Sequence, residues 1–270
     1  MLPTNTPPEI LFKSVDKRFD PRDCGTIRIG SLKYYRSHYD ESVRDTEEGC
    51  VSVRLSKDAP VTLPDALANP LFFNGMTKDT RTRGGHSKFV VSSEKMVLTK
   101  GHGEWTISGE ADFTFDSQNT LIFCMTAPLR KYKDTFKGDR IHWRVESEDL
   151  NEFSFILTML VKSHLSPASL FPYLRNPTMG DIFIETEMGR VVYTDRHPAL
   201  SPTPSGYFAA LTFANAPFVK PSGPPKHFER EEEFRFCFHC AANKAGAKTT
   251  PFIPEHLDVP FAPLSHIIKF

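Results

Sequence analysis

Residues 233–239 read Glu233-Phe234-Arg235-Phe236-Cys237-Phe238-His239. Side chains on a β-strand alternate between its two faces. The three Phe rings therefore share one face, and Glu233, Arg235, Cys237 and His239 share the other. A strand of this kind belongs in an antiparallel sheet, with its apolar face on a core and its polar face toward solvent.

Outward from this stretch, short apolar runs bounded by Pro, Gly and polar residues recur along the chain. Residues 9–15 (EILFKSV) read as a strand, and 26–35 (TIRIGSLKYY) as a strand bent at Gly30. Five runs between 88 and 126 have the spacing of a meander, which predicts one packed sheet with Phe89, Phe113, Phe115 and Phe123 buried. Residues 181–187 and 190–194 flank Met188-Gly189, a hairpin signal. The terminal LSHIIKF reads as a last strand. Residues 148–164 alone show clear helical spacing, through Phe153, Ile156, Leu157 and Leu160. Ser147 is the N-cap candidate there, and Glu148 and Asp149 sit where the helix dipole favours carboxylates. The expected class is α+β, a mainly antiparallel β-sheet core with few helices. No linker separates independent parts, so residues 1–270 are expected to form a single α+β domain.

The 33 basic and 33 acidic residues cancel, which argues against a polybasic nucleic-acid binder but leaves room for a local basic groove. The 22 prolines exceed the usual ~5%, and 23 Phe against 7 Tyr and 2 Trp predict a Phe-rich core cut by Pro-bearing loops. No apolar run approaches the ~18 residues of a membrane helix, so no membrane partner is expected. The first residues, MLPTNTPPEILFK, lack a basic stretch followed by an apolar one, and the five cysteines are an odd, sparse number. Together these predict a cytoplasmic chain with reduced thiols. Cys237 and Cys240 have CxxC spacing, but on a strand they point to opposite faces and no second ligand pair lies nearby. The acidic run Asp40, Glu41, Asp45, Glu47, Glu48 lacks the spacing of a calcium loop. No metal is expected. Phosphate-binding glycine loops, nucleophile elbows and kinase signatures are absent from the sequence.

Two segments rise above this background. One runs from Gly25 through Arg28, Gly30, Tyr34, Tyr35 and Arg36 to the turn Arg44-Asp45-Thr46-Glu47-Glu48-Gly49. The other is Lys226-His227-Phe228-Glu229-Arg230-Glu231-Glu232-Glu233-Phe234-Arg235-Phe236. Together they resemble uncharacterised bacterial and phage proteins, some from phage-defence loci, with a strand-plus-Tyr segment ending in a DxxEG turn and a late EKExR-like strand. More distantly, they resemble the ADP-ribosyltransferase superfamily, especially its toxin-like members that modify nucleic acid. The resemblance covers residues 9–50 and 220–240 and implies an ADP-ribosyltransferase-like fold with NAD as substrate. It further implies a toxin or phage-defence effector that transfers ADP-ribose to a nucleic acid (RNA or single-stranded DNA) or to a protein acceptor, with an antitoxin as a further partner.

That chemistry asks for particular side chains. A carboxylate beside the ribosyl centre stabilises its developing positive charge as nicotinamide leaves. Glu233 or, second, Glu231 fits this role, and Arg235 on the same face would moderate their repulsion. Tyr35 or Tyr34 could stack on nicotinamide, while Lys13 and Arg28 could hold dinucleotide oxygens. The competing reading makes EREEEFR a solvated strand edge, the tyrosines packing residues, and Lys13 and Arg28 solvent-facing. A second function class then opens: a non-catalytic sensor or interaction protein presenting its Pro-rich loops at 198–205 and 217–225.

Overall fold

A computed structural model describes residues 8–38, 50–55, 60–65, 68, 88–93, 96–116, 119–127, 140–194, 199–200, 219–221, 232–242 and 251–270. In chain order the strands are β1 (Ile10–Asp16), β2 (Thr26–Ser31), β3 (Cys50–Leu55), β4 (Val61–Pro64) and β5 (Lys88–Ser93). Next come β6 (Val97–Lys100), β7 (Glu104–Ser108), β8 (Ala111–Asp116), β9 (Leu121–Thr126) and β10 (Arg140–Glu146). The last are β11 (Ile182–Arg190), β12 (Val192–Thr194), β13 (Ala199–Leu200), β14 (Val219–Pro221), β15 (Glu233–Ala242) and β16 (His256–Pro260). The described α-helices are α1 (Pro21–Cys24), α2 (Leu32–Ser37), α3 (Leu150–His164) and α4 (Pro167–Leu170). This is an α+β protein built mainly of antiparallel strands.

The chain divides into two compact units. One comprises Met1–Leu2, Glu47–Gln118 and Val192–Gly223. It carries a four-stranded sheet ordered β13-β3-β8-β5, a three-stranded sheet β4-β7-β6 and the parallel pair β12-β14. The expected 88–126 meander is thus split. Strands β5 and β8 flank each other, β6 and β7 belong to another sheet, and β9 lies in the other unit. Phe89, Phe113 and Phe115 fall among side chains outside the described set.

The other unit comprises Pro3–Thr46, Asn119–Val191 and Pro224–Phe270. Its seven-stranded sheet runs β10-β1-β9-β15-β11, with β2 also paired to β9 and β16 to β2, all antiparallel. The Phe face of β15 lies in the core as its alternation demands. Phe234, Phe236 and Phe238 pack with Leu121, Phe123 and Met125 of β9, Trp143 of β10, and Phe153, Leu157 and Val161 of α3. Phe153 sits amid Phe123, Trp143 and Phe236, with ring centroids 5.6–6.4 Å away.

Several boundaries differ from the sequence expectation. Tyr34 and Tyr35 lie on α2 rather than at a strand end, because Ser31 turns the chain: its Oγ accepts from the Tyr34 backbone N–H at 3.1 Å. Met188-Gly189 makes no hairpin. The chain runs straight through it as β11, in register with β15 from Ile182↔Ala242 to Arg190↔Phe234. Residues Ser147–Asp149 form a 3-10 turn and no side chain caps α3. The C-terminal LSHIIKF is a turn and coil with a single bridge, Arg144↔Lys269. The late strand lies earlier, at β16.

Candidate functional site

The central strand β9 organises the site. β15 occupies one of its edges along the whole strand, from Glu233↔Thr126 to Phe238↔Leu121. A strand has two edges, so β1 and β2 share the other: β1 pairs at Phe12↔Thr126 and β2 at Gly30↔Ile122 and Ser31↔Leu121. The two partners part between these points, and the carbonyl of Cys124 faces the opening. Lys13 reaches into it and donates to the Cys124 carbonyl oxygen at 2.7 Å. Its ammonium also lies 4.9 Å from the Phe123 ring centroid. Lys13 pairs with buried Trp143 and shares its face of β1 with Leu11 and Val15, so it enters from the core face rather than pointing to solvent.

The opposite face of the sheet is polar. Along β15 it carries Glu233, Arg235, Cys237 and His239. Glu185 faces His239 across the β11 pairing, and Glu187 faces Cys237. The expected half-exposed edge is not what forms. β15 is flanked by strands on both sides, and Glu233 is only 3% exposed and Arg235 0%. Arg235 Nε donates to Glu233 Oε1 at 2.5 Å. Two charges this deep in a protein persist because they satisfy each other. Gly189 stands opposite Arg235 on β11 and Cys124 opposite it on β9, so small residues flank the long guanidinium side chain.

Tyr35 joins this pair. Its side chain is half-buried, yet its hydroxyl lies in surroundings that push its pKa well above the usual 10. Burial is the main cause, followed by Cys124, Glu233 and Tyr34, with Arg235 opposing. At neutral pH Tyr35 is therefore a neutral phenol, a hydrogen-bond donor rather than a base. Gly30 makes its position available: a Cβ there would lie 2.7 Å from Tyr35 Cε2 and 2.9 Å from Tyr34 Cδ1.

Tyr34 packs edge-on against Tyr35 at 5.4 Å, His38 at 4.9 Å and His256 at 5.9 Å between centroids. Its hydroxyl lies 2.9 Å from His38 Nε2. Arg28 is held by Asp258 across the β2–β16 pairing, Nε to Oδ1 at 2.8 Å and a terminal nitrogen to Oδ2 at 2.9 Å. Its hydrogen bonds to Asp258, outweighing a partial burial penalty, hold its pKa above the ordinary value, with Tyr34 contributing.

Of the residues proposed from sequence, Glu233, Tyr35 and Tyr34 come together on the polar face of the sheet, and Arg28 adjoins Tyr34. Lys13 meets the same strand opening from the other face. Glu231 lies outside the described residues, as do most of the 36–49 loop and most of the 198–205 and 217–225 loops. Arg235 is the buried member of this cluster that sequence weighed least. Its partner Glu233, two positions away on the same face, was the available signal. Asp258 and His256 escaped notice because HLDVP is short, follows Pro254 closely and ends in Pro260.

Cys237 and Cys240 are buried thiols on opposite faces, and burial pushes the Cys240 thiol to about 12. The carboxylates of Glu146, Glu148 and Asp149 lie close together, and the Lys269 ammonium sits 2.7 Å from Glu146 Oε2 and 4.0 Å from Asp149 Oδ2. That lysine already supplies a counter-charge. Among the described residues no helix is long and apolar enough to cross a membrane.

No family model, curated protein or solved structure matches the chain.

Proposed function

We propose that this protein is an NAD-dependent ADP-ribosyltransferase-like enzyme whose reaction is carried by the polar face of the seven-stranded sheet. The observation that supports this reading is the gathering of Glu233, Arg235 and Tyr35 where β1 and β2 part from one edge of β9. The site offers one fixed carboxylate, one cation and one neutral phenol, set beside an aromatic surface. In the proposed reaction the bond between nicotinamide and the ribosyl carbon breaks, its electron pair leaving with nicotinamide. An acceptor oxygen or nitrogen forms the new bond to that carbon and releases its proton, by way of Glu233, to solvent.

Each residue has a task. Glu233 supplies negative charge beside the cationic centre, and a preorganised carboxylate acts there without reorganisation cost. Arg235 is a positioning residue: it fixes the Glu233 carboxylate through Oε1. Tyr35 offers a ring face and a hydroxyl donor. The test is incubation of the purified protein with NAD labelled in the adenylate half, alongside separate pools of RNA, single-stranded DNA and cell lysate. Label appearing in one pool, with release of nicotinamide, supports the reading. Intact NAD in every pool removes it and leaves the non-catalytic sensor as the reading in hand.

A further inference from the structure

From the outer face of α3 we infer that the protein pairs with a second copy of itself, the two α3 helices lying antiparallel about a two-fold axis at the level of Leu157. The inference is independent of the transferase reading. Leu150, Phe153, Leu157 and Val161 turn one stripe of α3 into the core. Thr158 Oγ1 lies 2.7 Å from Thr186 Oγ1 on β11, which fixes the face the helix turns outward. That outward stripe holds Phe155 at 66% exposure and Met159 at 51%, one turn apart. The side chains around them are polar: Asn151, Glu152 and Ser163 are exposed and Lys162 is half-buried. An apolar centre within a polar rim is the make-up of a contact surface.

Exposed apolar side chains are ordinary on a protein surface; the spacing of these names the partner. A two-fold contact brings residue i against j and j against i, so its surface must be complementary to its own reverse. Counted from Leu157, the stripe meets this condition. Phe155 and Met159 stand two positions to either side, Glu152 and Lys162 five, and Asn151 and Ser163 six. Antiparallel helices thus set Phe155 on Met159 of the second copy, Glu152 against Lys162 and Asn151 against Ser163, each pair occurring twice. Apolar meets apolar, opposite charges meet, and amide meets hydroxyl. A parallel pair would instead set Glu152 on Glu152 and Lys162 on Lys162, which like-charge repulsion disfavours. Glu152 Oε1 also lies 3.1 Å from His266 Nε2, both side chains being 58% exposed, and a carboxylate with two oxygens accepts Lys162 as well. Because α3 covers the Phe face of β15, this contact lies on the other side of the seven-stranded sheet from Glu233 and Arg235.

The experiment is sedimentation equilibrium of the full chain over a dilution series. The expected result is reversible dimerisation, from 30.6 kDa to twice that mass. Its Kd should lie in the micromolar range, because one helix pair is small beside the ~800 Å² per partner of a standard interface. Phe155→Ser removes the central contact at both of its occurrences and should weaken the dimer about tenfold or more. Glu152→Lys sets like charges opposite each other at both ends and should weaken it about tenfold, as should Lys162→Glu. Combining the two substitutions exchanges the charges and should return the parent Kd. The two positions are about 15 Å apart along α3, so this rescue cannot arise within one chain, and it keeps the test decisive even where a single variant is less stable. A parent that stays at 30.6 kDa at every concentration overturns the inference and leaves the face to a different protein. A dimer indifferent to Phe155→Ser, or one that the charge exchange fails to restore, overturns it too.

Discussion

Glu233 and Arg235 set the terms at the scale of single residues. A solvated glutamate would tolerate replacement by glutamine within about 0.5 kcal/mol. This one is buried with its partner, so Glu233→Gln strands a buried guanidinium and should cost about 3–5 kcal/mol. Adding Arg235→Met removes the stranded charge and should restore most of that loss, which urea unfolding of the three proteins would show. Gly30→Ala forces a methyl into the rings of Tyr34 and Tyr35 and should cost about 1–3 kcal/mol, seen as a fall in Tm of several degrees. Thiol chemistry gives a further check. Cys24 is exposed, whereas Cys240 is buried with its pKa raised to about 12. Iodoacetamide at pH 8 should therefore alkylate Cys24 and spare Cys240 until the chain unfolds; Cys240 labelled at the rate of Cys24 in native protein would contradict the burial.

Elements explain what the sequence revealed and what it hid. The alternation in β15 was legible because both of its neighbours impose a period of two, and the Phe face indeed lies in the core. Its other face misled, since alternation reports polarity and not exposure. A polar face reads as solvated until a paired charge shows how it can be buried. Helix α3 was legible from its apolar spacing, and Phe153→Ala, amid three aromatic rings, should cost about 3–5 kcal/mol. Helix α2 was not, because six residues following directly on a strand carry too little period to separate from it. The meander was misassigned because strand spacing gives no partner. The Glu233–Tyr35 meeting depends on pairings between distant segments, such as Gly30↔Ile122 and Arg235↔Cys124. Short α1 offers a test in acid. The Asp20 carboxyl caps it and is held below its ordinary pKa, first by hydrogen bonds from the Arg22 side chain. A depressed folded pKa gives stability that is present above the unfolded value near 4 and lost as pH falls through the folded one. Asp20→Ala should therefore cost about 1 kcal/mol at pH 7, and its gap from the parent should narrow below pH 4. A constant gap down to pH 2 would contradict the pairing.

For the whole molecule, the central claim is that a buried carboxylate on a parted sheet performs glycosyl transfer from NAD. The residue-scale cost complicates the simplest variant, since Glu233→Gln could lose activity by losing its fold. The Glu233→Gln, Arg235→Met pair removes that ambiguity because it repairs stability without returning the negative charge. The decisive measurement is nicotinamide release from NAD by the parent, the single variant and the double variant, each held well below its Tm. The expected result is a fall of about 10²–10³ in the single variant, with the double variant close to the parent in stability and as inactive as the single variant. A double variant that recovers the parent rate, or a parent that releases no nicotinamide, would contradict the claim.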